Sequence, residues 1–171
     1  MSKKLPQAII LMGVSGCGKT AVGVKLSQVL DWPFIDGDDF HSADNIAKMS
    51  QGFPLNDDDR APWLAKLHQL IVDHLQEGKS MILACSALKK KYRDQLTEGS
   101  SGTLFVYLKG DFDLILGRIS HREEHYMKAE MLRSQFDVLE EPADAFIVDI
   151  DKTIEEIVKG ISLFIESGKQ I

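Results

Sequence analysis

The chain has 171 residues, 44% of them apolar, and its 20 Lys+Arg against 26 Asp+Glu give a formal net charge of -6 at pH 7. That size and composition describe one globular domain over residues 1–171 and exclude a disordered chain, while the acidic balance excludes a nucleic-acid coat or an anionic membrane surface as partner. Two cysteines exclude a disulfide framework and fit a reducing cytosol. No apolar run approaches the roughly 20 residues of a membrane span. The start Met-Ser-Lys-Lys-Leu-Pro lacks an apolar h-region, so no signal peptide and a cytoplasmic location are expected.

Residues 7–12 read as a first strand and 18–30 as a helix with Ala21, Val22, Val24, Leu26 and Val29 apolar. Residues 32–35 predict a second strand, ending at Asp36, Gly37, Asp38 and Asp39. The clearest helix is predicted over 59–76, with Pro62 in its first turn and Gly78 as its stop. A third, wholly apolar strand is predicted at 81–85, then a helix over 88–96 and a fourth strand at 103–108. Asp111 or Asp113 can cap the next helix, and a charged stretch at 118–128 interrupts the apolar pattern. A helix at 129–139 and a fifth strand at 145–150 follow. Thr153 and Glu156 form a capping box ahead of a final helix, free either to cover the sheet or to sit at an interface. This alternation predicts an α/β three-layer fold: a five-stranded parallel sheet with helices on both faces and ligands at the carboxyl ends of the strands.

Gly13, Val14, Ser15, Gly16, Cys17, Gly18, Lys19 and Thr20 match G-x-x-x-x-G-K-[ST] between the first strand and its helix, which makes the chain a P-loop protein. Glycines let backbone N–H groups curl round phosphate oxygens, and the helix N-terminus adds partial positive charge. Lys19 can bridge the β- and γ-phosphates, and the Thr20 hydroxyl can ligate Mg²⁺. Cys17 contributes its backbone to this loop.

An Asn-Lys-x-Asp string is missing, which excludes a GTPase pattern, and residues 81–85 run into Ser86 where a Walker-B Asp would stand. The acidic group is therefore expected from Asp36 to Asp39. Asp36 would reach Mg²⁺ through water, and Asp38 would orient an acceptor hydroxyl and take its proton. The run Asp57, Asp58, Asp59 reads as a helix cap plus solvated charge rather than a metal site.

Several strings are more specific than a P-loop. Asp36-Gly-Asp-Asp-Phe-His41, Asn45-Ile-Ala-Lys48-Met49 and Gly52-Phe-Pro-Leu-Asn-Asp-Asp-Asp-Arg60-Ala-Pro-Trp63-Leu64 occur in order. Cys85-Ser-Ala-Leu-Lys89-Lys-Lys-Tyr-Arg93-Asp94, His125-Tyr-Met127, Ser134-Gln-Phe136 and Leu139-Glu-Glu-Pro142 follow. Together they resemble the gluconate kinase (gluconokinase) family over about residues 8–151. The resemblance implies transfer of the ATP γ-phosphate to the 6-hydroxyl of D-gluconate, with Mg²⁺, by a cytosolic homodimer. A small polyol with a carboxylate needs hydrogen-bonding groups and a cation. Asp38, His41, Arg60, Ser86 and Lys89 can supply both, with Arg60 the best candidate for a bidentate carboxylate contact. Residues 40–60 are then the substrate segment and 118–128 a lid like that of nucleoside-monophosphate kinases, bringing Arg118 and Arg122 onto the phosphates. Two departures stand out: Glu124 where many members carry Gly, and a shortened loop after Pro142. No adenine contact is assigned there. Another small acceptor, such as shikimate or a nucleoside monophosphate, and a nucleotide-binding regulator without turnover are the competing readings.

Overall fold

The first strand, β1 (Ala8–Met12), is apolar at all five positions and all five are fully buried. Its side chains alternate between two cores. Ile9 and Leu11 face one, with Val22 and Leu26 of α1 (Lys19–Leu30). Ala8, Ile10 and Met12 face the other, with Leu64, Leu67 and Ile71 of α3 (Asp57–Gln76). A strand buried on both faces has no polar side to show, which is why its sequence reads as a continuous apolar run. The computed structural model in which this is seen describes residues 7–120, 129–169 and 171.

The remaining strands are β2 (Phe34–Asp36), β3 (Met81–Ala84), β4 (Thr103–Lys109) and β5 (Phe146–Asp149). They form one sheet in the order β2-β3-β1-β4-β5, and every pairing is parallel. The helices α1, α5 (Phe112–Ser120), α6 (Ala129–Val138) and α7 (Ile154–Glu166) cover one face; α3 and α4 (Lys90–Thr97) cover the other. The chain leaves β1 on the α1 side and β3 on the α4 side, so a crevice opens at their carboxyl ends. No helix among the described residues is long and apolar enough to cross a membrane.

Several boundaries differ from expectation, each for a local reason. Asn56 caps α3: its Oδ1 accepts from the Asp59 N–H at 2.8 Å, and Asp59 Oδ2 accepts from the Asn56 N–H at 2.9 Å. The helix thus begins at Asp57 and Pro62 lies in its second turn rather than its first. The short helix α2 (Ala43–Ser50), capped by Ser42, was not expected at all. Asn45 is its one buried residue, and although Ala43, Ile46 and Ala47 fall at helical spacing, Ile46 is exposed, so eight residues with no buried apolar face gave little to read. The final helix resolves the open choice about its place. Ile157, Val158, Ile161 and Ile165 are buried in the core shared with α1, so α7 covers the sheet.

Candidate active site

The P-loop closes on itself at the end of β1. Gly13 N–H donates to the Ser86 carbonyl at 3.2 Å, which ties the loop to the segment after β3. Gly16 has φ +84°, and a Cβ there would lie 2.7 Å from Ile119 of α5, so only glycine lets α5 pack this closely. Lys19 Nζ donates to the carbonyls of Gly13 (2.9 Å) and Val14 (3.1 Å) and lies 3.8 Å from Cys17 Sγ. Cys17 is itself buried beneath the loop. From the first turn of α1, Thr20 donates its hydroxyl hydrogen to Asp36 Oδ2 at 3.0 Å.

That contact joins the P-loop to the acidic turn. Gly37–Phe40 form one 3-10 turn capped by Asp36, whose Oδ1 accepts from the Asp38 N–H at 3.0 Å. With both oxygens of Asp36 engaged, the Asp38 carboxylate projects into the same cavity as Lys19. Its side chain still reaches water, being 77% exposed, although cavity walls surround it. That enclosure raises its pKa, the Lys19 charge opposes the rise, and Asp36 and Asp39 add to it.

Trp63 fixes the turn from below, donating Nε1–H to the Gly37 carbonyl at 2.7 Å and stacking on His41 with ring centroids 4.1 Å apart. His41 Nε2 lies 3.8 Å from Asp38 Oδ1. Asn45 Nδ2 donates to the Asp59 carbonyl at 2.9 Å and lies 3.5 Å from His41 Nδ1. An amide NH₂ only donates, so Nδ1 accepts and the ring hydrogen sits on Nε2, towards Asp38. Burial, with Arg60 nearby, lowers the His41 pKa to about 4, and the ring is neutral near pH 7. A Cβ on Gly37 would come within 2.5 Å of the Ala84 carbonyl oxygen and 3.2 Å of Leu67. Gly37→Ala should therefore push the turn off β3, costing about 1–3 kcal/mol of stability and most of the turnover. Thermal denaturation and steady-state kinetics on one preparation check both.

Arg60, in the first turns of α3, donates to the Leu55 carbonyl and lies 5.5 Å from the centroid of the Tyr92 ring. Lys89 and Lys91 lie 5.6 and 5.8 Å from the same centroid. The reading of the acidic run as cap plus solvated charge holds for the cap, which Asp59 completes, and for exposed Asp58, but needs correction where Asp57 and Asp59 are paired. Asp57 accepts from Lys89 at 3.0 Å and also from Lys91 and Tyr92, and these bonds hold its carboxyl well below the usual carboxylate range. Asp59 accepts from Lys48 at 2.7 Å, so the run ties α3 to α4 and α2.

Buried Arg93 donates to the carbonyls of Ala87 (2.8 Å), Leu88 (3.2 Å) and Glu140 (2.9 Å), which moors the loop carrying Ser86 and Lys89. On the opposite wall, Gln135 of α6 bonds to Ser15 of the P-loop. Sequence reasoning gave no role to Gln135, Trp63 or Asn45. Their partners lie up to 120 residues away, and no local spacing encodes that.

These elements enclose a cavity of about 910 Å³. Ser15, Gly16, Gly18, Lys19 and Thr20 of the P-loop line it, as do Asp36, Asp38, His41, Arg60, Ser86 and Lys89, among other residues. Arg118 is not brought to its wall, and its Nη2 donates to the Ile150 carbonyl at 2.7 Å. Arg122 and Glu124, with most of the expected lid, lie outside the described residues. The volume falls in the upper range for small-molecule sites. One end suits phosphate and the other a small anion with hydroxyls.

Comparison with known proteins narrows the family. Residues 15–166 match the model of the shikimate kinase family (SKI). The thermoresistant gluconokinase of Escherichia coli (strain K12) is 46% identical over 164 residues, covering 94% of each chain. The crystal structure of a gluconokinase from Sinorhizobium meliloti 1021 superposes with a TM-score of 0.85 at 38% identity, over 96% of this chain and 97% of that one. An unliganded sugar kinase from Janibacter sp. HTCC2649 gives a TM-score of 0.88, also at 38% identity, over 94% and 95% of the two chains. The P-loop, the acidic turn beside it and this similarity over nearly the full length place the chain in the gluconokinase family.

Proposed function

We propose that this chain transfers the γ-phosphoryl group of ATP to the 6-hydroxyl of D-gluconate, giving 6-phospho-D-gluconate and ADP. One observation carries the residue roles. The Thr20–Asp36 bond sets the turn holding Asp38 directly beside the P-loop, in a cavity that also contains Arg60. Lys19 and the loop amides neutralise charge on the transferring group, as P-loop chemistry requires. Thr20 and Asp36 offer hard oxygen donors 3.0 Å apart, and Mg²⁺ needs only one or two such protein ligands when phosphates complete its shell. They are the residues that would hold Mg²⁺, Asp36 through water. When bound, the ion adds charge neutralisation on the phosphates.

Asp38 accepts the hydrogen of the acceptor hydroxyl and orients its oxygen towards the phosphoryl group. Arg60 and Lys89 receive the gluconate carboxylate, while His41 and Ser86 bond its hydroxyls. Lys89 exchanges its Asp57 contact for that carboxylate. Arg118 joins the phosphates only by leaving the Ile150 carbonyl, and Arg122 completes the pair on sequence grounds. A homodimer in the cytoplasm is part of the same reading.

The test is an assay of ADP release with gluconate, shikimate, nucleoside monophosphates and no acceptor. Gluconate should raise ADP release at least ~10-fold over the blank, a floor well below what an oriented acceptor can gain over bulk water. Stimulation by shikimate alone would reassign the acceptor. ATP binding without any acceptor effect would make the chain a regulator.

A further inference from the structure

The carboxamide of Gln135 closes a two-point clasp on Ser15. Its Oε1 accepts from the Ser15 N–H at 2.8 Å, and its Nε2 donates to Ser15 Oγ at 3.1 Å. Among the described residues, it is the one side chain from outside the P-loop that bonds to the loop's main chain. Both residues line the cavity, and the next residue, Gly16, is pressed against Ile119 of α5. The clasp therefore acts where the loop has least room to relax.

The other end of the same segment grips the acceptor side. Glu140, just beyond α6, donates its N–H to the Leu88 carbonyl at 2.9 Å and accepts the Lys90 N–H on Oε2 at 2.7 Å. Arg93 donates to the Glu140 carbonyl. Residues 135–140 thus form a strut from the phosphate loop to the loop that carries Ser86 and Lys89. Two groups that must meet within a few tenths of an ångström are held by one short piece of chain.

We propose that Gln135 is a positioning residue for phosphoryl transfer, holding the P-loop in register with the acceptor loop through its clasp on Ser15. The proposal rests on the kinase reading above. A neutral amide suits the task, because it satisfies Ser15 without setting negative charge against bound phosphates. A carboxylate could make the same two contacts, since the Ser15 N–H and O–H can both donate. Replacement by glutamate therefore separates geometry from charge.

The experiment compares wild type with Gln135→Ala and Gln135→Glu in steady-state kinetics, binding of a fluorescent ATP analogue with Mg²⁺ at low and high salt, and thermal melting. Gln135→Ala should lower kcat ~10-fold or more while both KM values stay within about threefold, the signature of misplacement rather than lost binding. Gln135→Glu should keep kcat within about threefold, yet weaken nucleotide binding ~10-fold at low salt and less at high salt. Both should melt within a few degrees of wild type. A Gln135→Ala kcat within twofold of wild type would overturn the proposal, as would parallel losses of kcat and melting temperature in both variants. If wild type shows no gluconate-stimulated turnover, the kinase reading falls and the positioning role falls with it, whereas wild-type turnover with an unimpaired Gln135→Ala overturns the positioning role alone.

Discussion

Asp38→Asn should lower kcat by at least tenfold, and general-base effects extend to ~10²–10⁴, with binding of ATP and Mg²⁺ largely kept. Asparagine preserves the size of the side chain and can orient a hydroxyl, but it cannot take the proton. Lys19 and the P-loop amides, the proposed phosphate ligands, are left as they were. The pH profile gives a second reading. The cavity walls hold the Asp38 pKa above its ordinary value, and only the ionised form is a base. Wild-type turnover should be present above that raised pKa and fall as the pH drops through it, while the residual activity of Asp38→Asn should lack this limb. Stability moves the other way. A carboxyl whose folded pKa is raised favours folding most when protonated, and that contribution is lost as the pH rises through the folded pKa. At pH 7 the variant should therefore melt at or above the wild-type temperature. Unchanged turnover, or a loss of activity that tracks a fall in melting temperature, removes Asp38 from the mechanism.

Lys19→Met should reduce kcat/KM for ATP ~10²–10³-fold, the usual cost of losing a preorganised charge at a reacting centre. In the structure Lys19 bonds the carbonyls of Gly13 and Val14, so its ammonium is already held over the loop where phosphate would lie. Methionine keeps the length of the stem and removes the charge. Because the lost partners are two loop carbonyls rather than core groups, the melting temperature should change by only a few degrees. Kinetics with ATP varied at saturating gluconate measures the effect. A variant retaining a third of wild-type kcat/KM would show that the loop amides alone carry the phosphates.

The elements most legible in the sequence are those whose signal is local. The P-loop string, the apolar run of β1 and the Thr153–Glu156 capping box each lie within a few residues and appear where expected. Signals were lost where the deciding partner is remote. α2 is only eight residues long and buries only Asn45, so its signal is too short to stand out from a loop. Asp57 and Asp59 resemble solvated charge until Lys89, just before α4, and Lys91 and Tyr92 within it meet Asp57, and Lys48 of α2 meets Asp59. Arg118 and Arg122 share a spacing of four, yet Arg118 turns to the Ile150 carbonyl at the end of β5.

By itself, then, the sequence determined the strand–helix alternation, the phosphate loop and the pair Asp36 and Asp38 after the second strand. These follow from periodicity, glycine conformational freedom and residue chemistry, all properties of neighbours in the chain. Only the tertiary structure decided which oxygen of Asp36 meets Thr20, that His41 lies between Trp63, Asn45 and Asp38, and that Gln135 grips Ser15. The reason is physical. A buried polar group must find a partner, and in a parallel sheet covered on both faces that partner comes from whichever crossover the packing brings alongside, however far away it lies in the chain.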